Sequence, residues 1–219
     1  MNNEININKI IEILKKEAIN WDVPIVTLIA IQEKDPFKIL ISTILSLRTK
    51  DEITIKASKK LYQILNKPED IYNLTSKEIE IAIYPVGFYK RKSLQIIEIC
   101  KELYEKYNSK VPKDIPTLLT FNGVGRKTAN LVLSEGYNIP AICVDTHVHR
   151  ISNRFGFLKT KNPEETEMEL RQKLNKKYWI IYNTLLVSFG QKICRPVSPY
   201  CSKCKISKYC KKINVKKSR

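Results

Sequence analysis

Two segments of this chain carry residues whose types and spacing point to chemistry. The first holds Cys194, Cys201, Cys204 and Cys210, spaced C-x6-C-x2-C-x5-C. Four thiols within 17 residues, in a chain with only six cysteines, imply a bound metal centre when the thiols stay reduced. Zinc sites usually pair two C-x2-C knuckles, and only one is present here. Long arms on either side of it suit a loop wrapped round an iron–sulfur cluster better, with zinc as the competing reading. The loop is also basic: Arg195, Lys203, Lys205 and Lys208 sit between or beside the cysteines, and Lys211 and Lys212 follow. Charge on a braced loop suits a phosphate backbone, although a merely solvated loop would look the same. Cys100 and Cys143 lie in the apolar runs "IIEICKEL" and "PAICVD" and read as buried structural thiols.

The second segment is "FNGVGRKTAN", Phe121–Asn130. Its glycines permit unusual dihedrals and close approach of another backbone. Exposed N–H groups at such a turn and at the following helix N-terminus make an anion site, which assigns Gly123, Val124 and Gly125 to phosphate binding. Arg126 and Lys127 then stand at the positive end of a helix dipole, where cations are normally disfavoured. A lysine so placed, beside an arginine, is expected to have a lowered pKa, and a neutral amine is a nucleophile. From these residues alone, Lys127 is as much a phosphate contact as a nucleophile. Further on, Asp145 opens "DTHVHRISNRFG", where its local reading is a helix N-cap.

Helices must position these groups. Ile7, Ile10, Ile11, Leu14 and Ala18 follow helical spacing. Asp35 and Pro36 open "FKILISTILSL", apolar nearly all round and so expected at the centre of a core. Thr49 with Glu52, and Thr75 with Glu78, match the capping-box pattern before "KDEITIKASKKLYQIL" and "IEIAIYPV". "KSLQIIEICKELYEKY", a short helix capped by Asp114, and "RKTANLVLSEG" follow. In "DTHVHRISNRFG", Val148, Ile151 and Phe155 share one face; Pro163 opens another helix, and "YWIIYNTLLVSFG" is expected to end at Gly190. No alternating strand pattern appears, and six glycines are too few for many tight hairpins. The pattern predicts an all-α fold of about ten helices.

Composition narrows the partner. The chain has 219 residues and a formal net charge of +17, from 39 Lys+Arg against 22 Asp+Glu, which is the electrostatic footprint of a polyanion-binding protein. The sequence "MNNEININKIIEIL" lacks a signal-peptide pattern and no apolar run reaches membrane-spanning length, so a cytoplasmic protein without membrane contact is expected. His147 and His149 are the only histidines, too few for a separate zinc site.

Taken together, "LLTFNGVGRKTANLVLS", "VDTHVHRISNRFG" and the C-x6-C-x2-C-x5-C tail resemble endonuclease III, a DNA glycosylase and abasic-site lyase of the helix-hairpin-helix superfamily. The likeness runs from about Pro24 to Cys210. It implies two all-α lobes with a DNA cleft between them: a six-helix barrel with the hairpin over residues 29–139, and a cluster lobe combining residues 1–28 with 140–219. It also implies a 4Fe-4S cluster on the four cysteines, Lys127 as nucleophile and Asp145 as catalytic carboxylate. The partner it implies is double-stranded DNA with a damaged base or an abasic site, bound by a monomer at the nucleoid. Gly123, Val124, Gly125, Arg126, His147, Lys203, Lys205 and Lys208 would contact that DNA.

The chain departs from the family at three places. Arg48 stands where bacterial members commonly have glutamine, and Phe88 where they commonly have leucine; both match positions that fill the gap left by an everted nucleotide, with pairing to phosphate as the other reading of Arg48 and a core aromatic as the other reading of Phe88. Asn122 replaces the more usual proline before the glycines, which should leave the hairpin less pre-set in φ. Two other functions compete. A monofunctional mismatch glycosylase, excising thymine or uracil opposite guanine, carries tyrosine or serine where Lys127 stands. A non-catalytic DNA-binding module would need neither Lys127 nor Asp145.

Overall fold

The computed structural model describes residues 5–219. Residues 1–4, with which the expected cluster lobe and the segment tested for a signal peptide both begin, lie outside the described residues. The α-helices are α1 (Ile7–Glu17), α2 (Ile25–Glu33), α3 (Pro36–Ser46), α4 (Asp51–Leu61), α5 (Ser76–Ile83), α6 (Tyr89–Tyr107), α7 (Ile115–Leu118), α8 (Arg126–Leu131), α9 (Thr146–Phe155), α10 (Pro163–Lys173) and α11 (Trp179–Lys192). Short 3-10 turns connect some of them, and a π-helical turn over Val132–Gly136 continues α8. There is no strand among the described residues, so the all-α expectation holds. None of these helices is long and apolar enough to cross a membrane. The chain divides into two compact units, Ile25–Ile139 and Met1–Pro24 with Pro140–Arg219.

In the unit Ile25–Ile139, α3 is the centre. The Asp35 carboxylate accepts from the Phe37 N–H at 2.9 Å, and Pro36 supplies the first helical φ. Phe37, Ile39, Leu40, Ile41, Ile44 and Leu45 are buried on every side of α3, against α2, α4, α6, α8 and the π-helical turn. The sequence pattern does not announce α2: "IVTLIAIQE" is apolar all round, so it shows no stripe. The Thr75–Glu78 capping box forms: the Thr75 hydroxyl accepts from the Glu78 N–H at 3.3 Å and the Glu78 carboxylate accepts from the Thr75 N–H at 2.8 Å. The Thr49–Glu52 box does not. Lys50 is the N-cap of α4, and the Thr49 hydroxyl instead accepts from Gly87 N–H and Lys92 Nζ, each at 3.2 Å. A tertiary partner has displaced the local one.

The other unit packs α1, α9, α10 and α11 round Ile10, Ile11, Leu14, Val148, Ile151, Phe155, Leu170, Leu186 and Phe189. Ser152 and the Tyr182 hydroxyl, 3.0 Å apart, join α9 to α11 inside that core. Asn162 caps α10 through the Glu165 N–H at 2.8 Å, with Pro163 next. Gly190 does not end α11, which continues to Lys192. It is a clearance: a Cβ there would lie 2.3 Å from His147 Nδ1 and 3.0 Å from Ile151. A helical glycine close to the end of a periodic run reads as a terminator from sequence, but here it lets α9 approach.

Leu40 has no exposed surface and no polar atom, so Leu40→Ala should lower the unfolding free energy by about 2–5 kcal/mol, read from the urea midpoint at unchanged slope.

Candidate active site

The hairpin forms as the spacing of its glycines requires. Asp114 caps α7 through the Thr117 N–H at 2.8 Å, the chain turns over Phe121–Gly125, and α8 begins at Arg126. Phe121 is buried and its carbonyl accepts from the Val124 N–H at 3.0 Å, which closes the turn. Val124 is likewise buried, so its side chain anchors the turn and its N–H is committed within it. Gly123 has φ +76°, and a Cβ there would lie 2.3 Å from the Gln95 amide nitrogen beneath. At Gly125 a Cβ would meet nothing within 4 Å, so that face of the turn is open to a partner. Asn122 donates to the Glu98 carboxylate at 2.6 Å, a tether from the hairpin to α6. A side-chain bond there restrains a position where family members commonly rely on proline.

Gly125 is the N-cap of α8 and has no side chain with which to cap the first turn. First-turn N–H groups are without intrahelical acceptors and favour an anion. Lys127 is the second residue of that turn and is exposed; Arg126 before it is half-buried. In the same unit Arg48 and Phe88 are both exposed and both in the left-handed region, φ 53° and 59°, with the Arg48 guanidinium carbon 5.8 Å from the Phe88 ring centre. Phe88 is therefore not a core aromatic.

In the unit formed by residues 1–24 and 140–219, Asp145 is the N-cap of α9, its carboxylate accepting from the Val148 N–H at 2.8 Å. It remains half-exposed, so one carboxylate is oriented by the helix and still reachable. His147 is one turn in. Arg150 Nη2 donates to His147 Nδ1 at 3.2 Å, which leaves the ring proton on Nε2. His149 points elsewhere, into a network with Thr166 at 2.7 Å and Asn153.

Cys194, Cys201, Cys204 and Cys210 line one cavity with Phe155, Phe189, Ile206 and Arg154. The thiols as they stand make no group of three or more metal ligands among the described residues. Their donor chemistry nevertheless fits an iron–sulfur cluster. No carboxylate or imidazole lines the cavity, and a four-iron cube holds its thiolates farther apart than one zinc ion does. Nitrogen donors already face the sulfurs: Arg154 Nη1 lies 3.3 Å from Cys194 Sγ and the Lys212 N–H 3.4 Å from Cys210 Sγ. Burial raises the Cys194, Cys204 and Cys210 pKa values, Cys204 to about 11, so these thiols keep their protons at neutral pH unless a cation replaces them. Lys203, Lys205 and Lys208 are exposed on the outside of the loop.

Sequence reasoning missed Arg154. It is 6% exposed, donates to the Arg195 carbonyl at 2.8 Å and the Pro196 carbonyl at 3.1 Å, and so holds the cysteine loop to α9. The available signal was an arginine three residues after Ile151, beside the apolar stripe of α9.

Residues 41–176 match the HhH-GPD superfamily of base excision DNA repair proteins. The chain is 46% identical to endonuclease III of Thermotoga maritima over 179 residues, 82% of this chain and 84% of that one. The chain belongs to the endonuclease III family. Its fold matches that of a non-covalent endonuclease III–DNA complex with a TM-score of 0.85 at 32% identity, over 97% of both chains. It also matches a trapped endonuclease III–DNA covalent intermediate, with a TM-score of 0.76 at 36% identity over 81% of this chain and 84% of that one.

Gly123→Ala would place a methyl group against Gln95 at a φ that L-residues avoid. The substitution should cost about 1–2 kcal/mol of stability and weaken binding of an abasic-site duplex, measured by urea unfolding and by fluorescence anisotropy.

Proposed function

We propose that this chain is a bifunctional DNA glycosylase and abasic-site lyase of base excision repair, acting on oxidised pyrimidines in double-stranded DNA. The observation that carries this is Lys127: an exposed amine in the first turn of a helix whose N-cap is a glycine, in a chain of this family. A trapped covalent complex of a relative with DNA supports the same chemistry here. The unit Ile25–Ile139 serves as the barrel lobe and the unit of residues 1–24 with 140–219 as the cluster lobe. The first presents Arg48, Phe88 and the hairpin to the duplex; the second presents Asp145, His147, Lys203, Lys205 and Lys208. The protein works as a monomer in the cytoplasm, at the nucleoid.

The target nucleotide leaves the stack, because its anomeric carbon is unreachable inside the duplex. Lys127 Nζ forms a bond to C1′ while the N-glycosidic bond breaks, its electron pair leaving with the base, which is protonated. Asp145 stabilises the positive charge that develops on the sugar and moves protons. The C1′–O4′ bond then opens, with a proton to O4′, and an imine forms between Lys127 and C1′. Loss of a C2′ proton and departure of the 3′ phosphate complete β-elimination and nick the strand on the 3′ side. Hairpin N–H groups and Arg126 hold phosphates; Arg48 and Phe88 occupy the space the nucleotide vacates. Cys194, Cys201, Cys204 and Cys210 would hold the 4Fe-4S cluster, which supplies thiolate–iron cross-links that brace the basic loop.

Borohydride should trap the wild-type protein on abasic or oxidised-pyrimidine DNA. Lys127→Gln should bind that DNA and trap nothing; a trapped adduct from it would assign the nucleophile to another amine. Asp145→Asn keeps the cap, so the fold should persist while the rate falls on the order of a hundredfold or more in single-turnover assays. Anaerobically purified protein should be brown with about four irons per chain, and Cys201→Ser should lose both colour and iron; stoichiometric zinc in place of iron would overturn the cluster assignment.

A further inference from the structure

Lys92 lies in the first turn of α6 and is 4% exposed. Its ammonium donates to the Leu47 carbonyl at 2.6 Å, the Leu45 carbonyl at 2.9 Å and the Thr49 hydroxyl at 3.2 Å. These are three neutral acceptors for three ammonium protons. Burial lowers the Lys92 pKa to about 8. The two carbonyls belong to the C-terminal end of α3, where the last C=O groups have no intrahelical donor and a cation is favoured.

What these bonds enclose is the turn that carries Arg48. Leu47 and Thr49 flank Arg48 directly, and both are held by one ammonium. Arg48 sits at φ 53° between them, a conformation that residues with a Cβ adopt uncommonly. The second loop joins the same node. The Thr49 hydroxyl that Lys92 reaches also accepts from the Gly87 N–H at 3.2 Å. Gly87 lies so close that a Cβ on it would be 2.6 Å from the Arg48 carbonyl oxygen. The next residue is Phe88, also left-handed and 61% exposed. Two exposed side chains on loops some forty residues apart are thus tied to one buried node. Burying an ammonium on neutral acceptors is costly, and an apolar side chain would fill the volume more cheaply. An apolar side chain would not, however, fix three backbone and hydroxyl oxygens at once.

We propose that Lys92 is a positioning residue for the reaction: it locks the Arg48 and Phe88 loops into one rigid wedge that enters the gap left by the everted nucleotide. The proposal rests on the reading of Arg48 and Phe88 as gap-filling residues.

The test uses the full-length, cluster-containing protein and a duplex with 2-aminopurine opposite an abasic analogue, whose emission reports the disturbed stack, together with single-turnover excision of an oxidised pyrimidine. The double variant Arg48→Ala/Phe88→Ala should lose the emission change and at least tenfold in rate. Lys92→Met should lose both to a similar extent. Adding Lys92→Met to the double variant should then slow excision by less than twofold, because the wedge it positions is already gone. If Lys92→Met slows both backgrounds by the same factor, the lysine supports only the fold and the proposal is overturned. If the double variant behaves as wild type in both readouts, the gap-filling reading itself fails and takes the proposal with it. Gly87→Ala crowds the Arg48 carbonyl while leaving the ammonium in place, and should reproduce the non-additive loss if Lys92→Met does not fold; an additive loss there also overturns the proposal.

Discussion

The N-terminus of α8, where a hairpin glycine stands as N-cap before Arg126 and Lys127, is the constraint on which the rest of the hairpin depends. Six helices carry side-chain caps, since Asn6, Asp35, Thr75, Asp114, Asp145 and Asn162 each accept a first-turn N–H, whereas α4, α6 and α11 begin without one. At α8 the N-cap is Gly125, and its first turn carries Arg126 and Lys127 instead of an acid. Unsatisfied donors and like-signed side chains at one helix end are unfavourable in isolation and favourable against an anion. The rest of the hairpin serves that end. The buried side chains of Val124 and Phe121 anchor it, Gly123 passes over Gln95, and Asn122 ties it to α6.

The other unit solves a different problem, holding a loop of irregular backbone. Hydrophobic packing reaches the loop at Cys194 and Ile206, which are buried, and at Cys204, Tyr209 and Cys210, which pack partly buried against the core; the bonds of Arg154 add to it. A guanidinium suits this because its planar set of donors can meet a sulfur and two carbonyls at once. Asp145 and Arg154 belong to the same ten-residue helix, one at its N-cap and the other in its last turn. Thus α9 both orients the carboxylate and anchors the cysteine loop.

Much of this was legible in the sequence because it rests on local rules. Asp35 with Pro36, Thr75 with Glu78, and Asp114 act within three or four residues, and they appear where the pattern put them. The stripe of Val148, Ile151 and Phe155 is buried as its spacing implied. What escaped was set by distant partners. Thr49 reads as a cap but answers to Lys92 and Gly87, some forty residues away. Gly190 reads as a terminator but makes room for α9. Lys92 and Arg154 look like surface charge, since no periodicity marks a lysine or arginine that is buried on carbonyl oxygens of distant segments. Within the candidate site, residue types could be named from the sequence, whereas the left-handed backbone at Arg48 and Phe88 could not, because neither is a glycine.

The tether between Asn122 and Glu98 bears on how such a hairpin can change over time. A proline before the glycines restrains the turn through its own ring, and the residue facing it on α6 is then under no obligation. Here the restraint is shared between two side chains 24 positions apart. Losing either one leaves the other idle, and Glu98 is then an unanswered negative charge beside the hairpin. The two residues are in effect a single heritable character. Exchanging the pair for a ring one substitution at a time passes through a chain that has neither restraint or carries a redundant acid, although each solution serves the same turn.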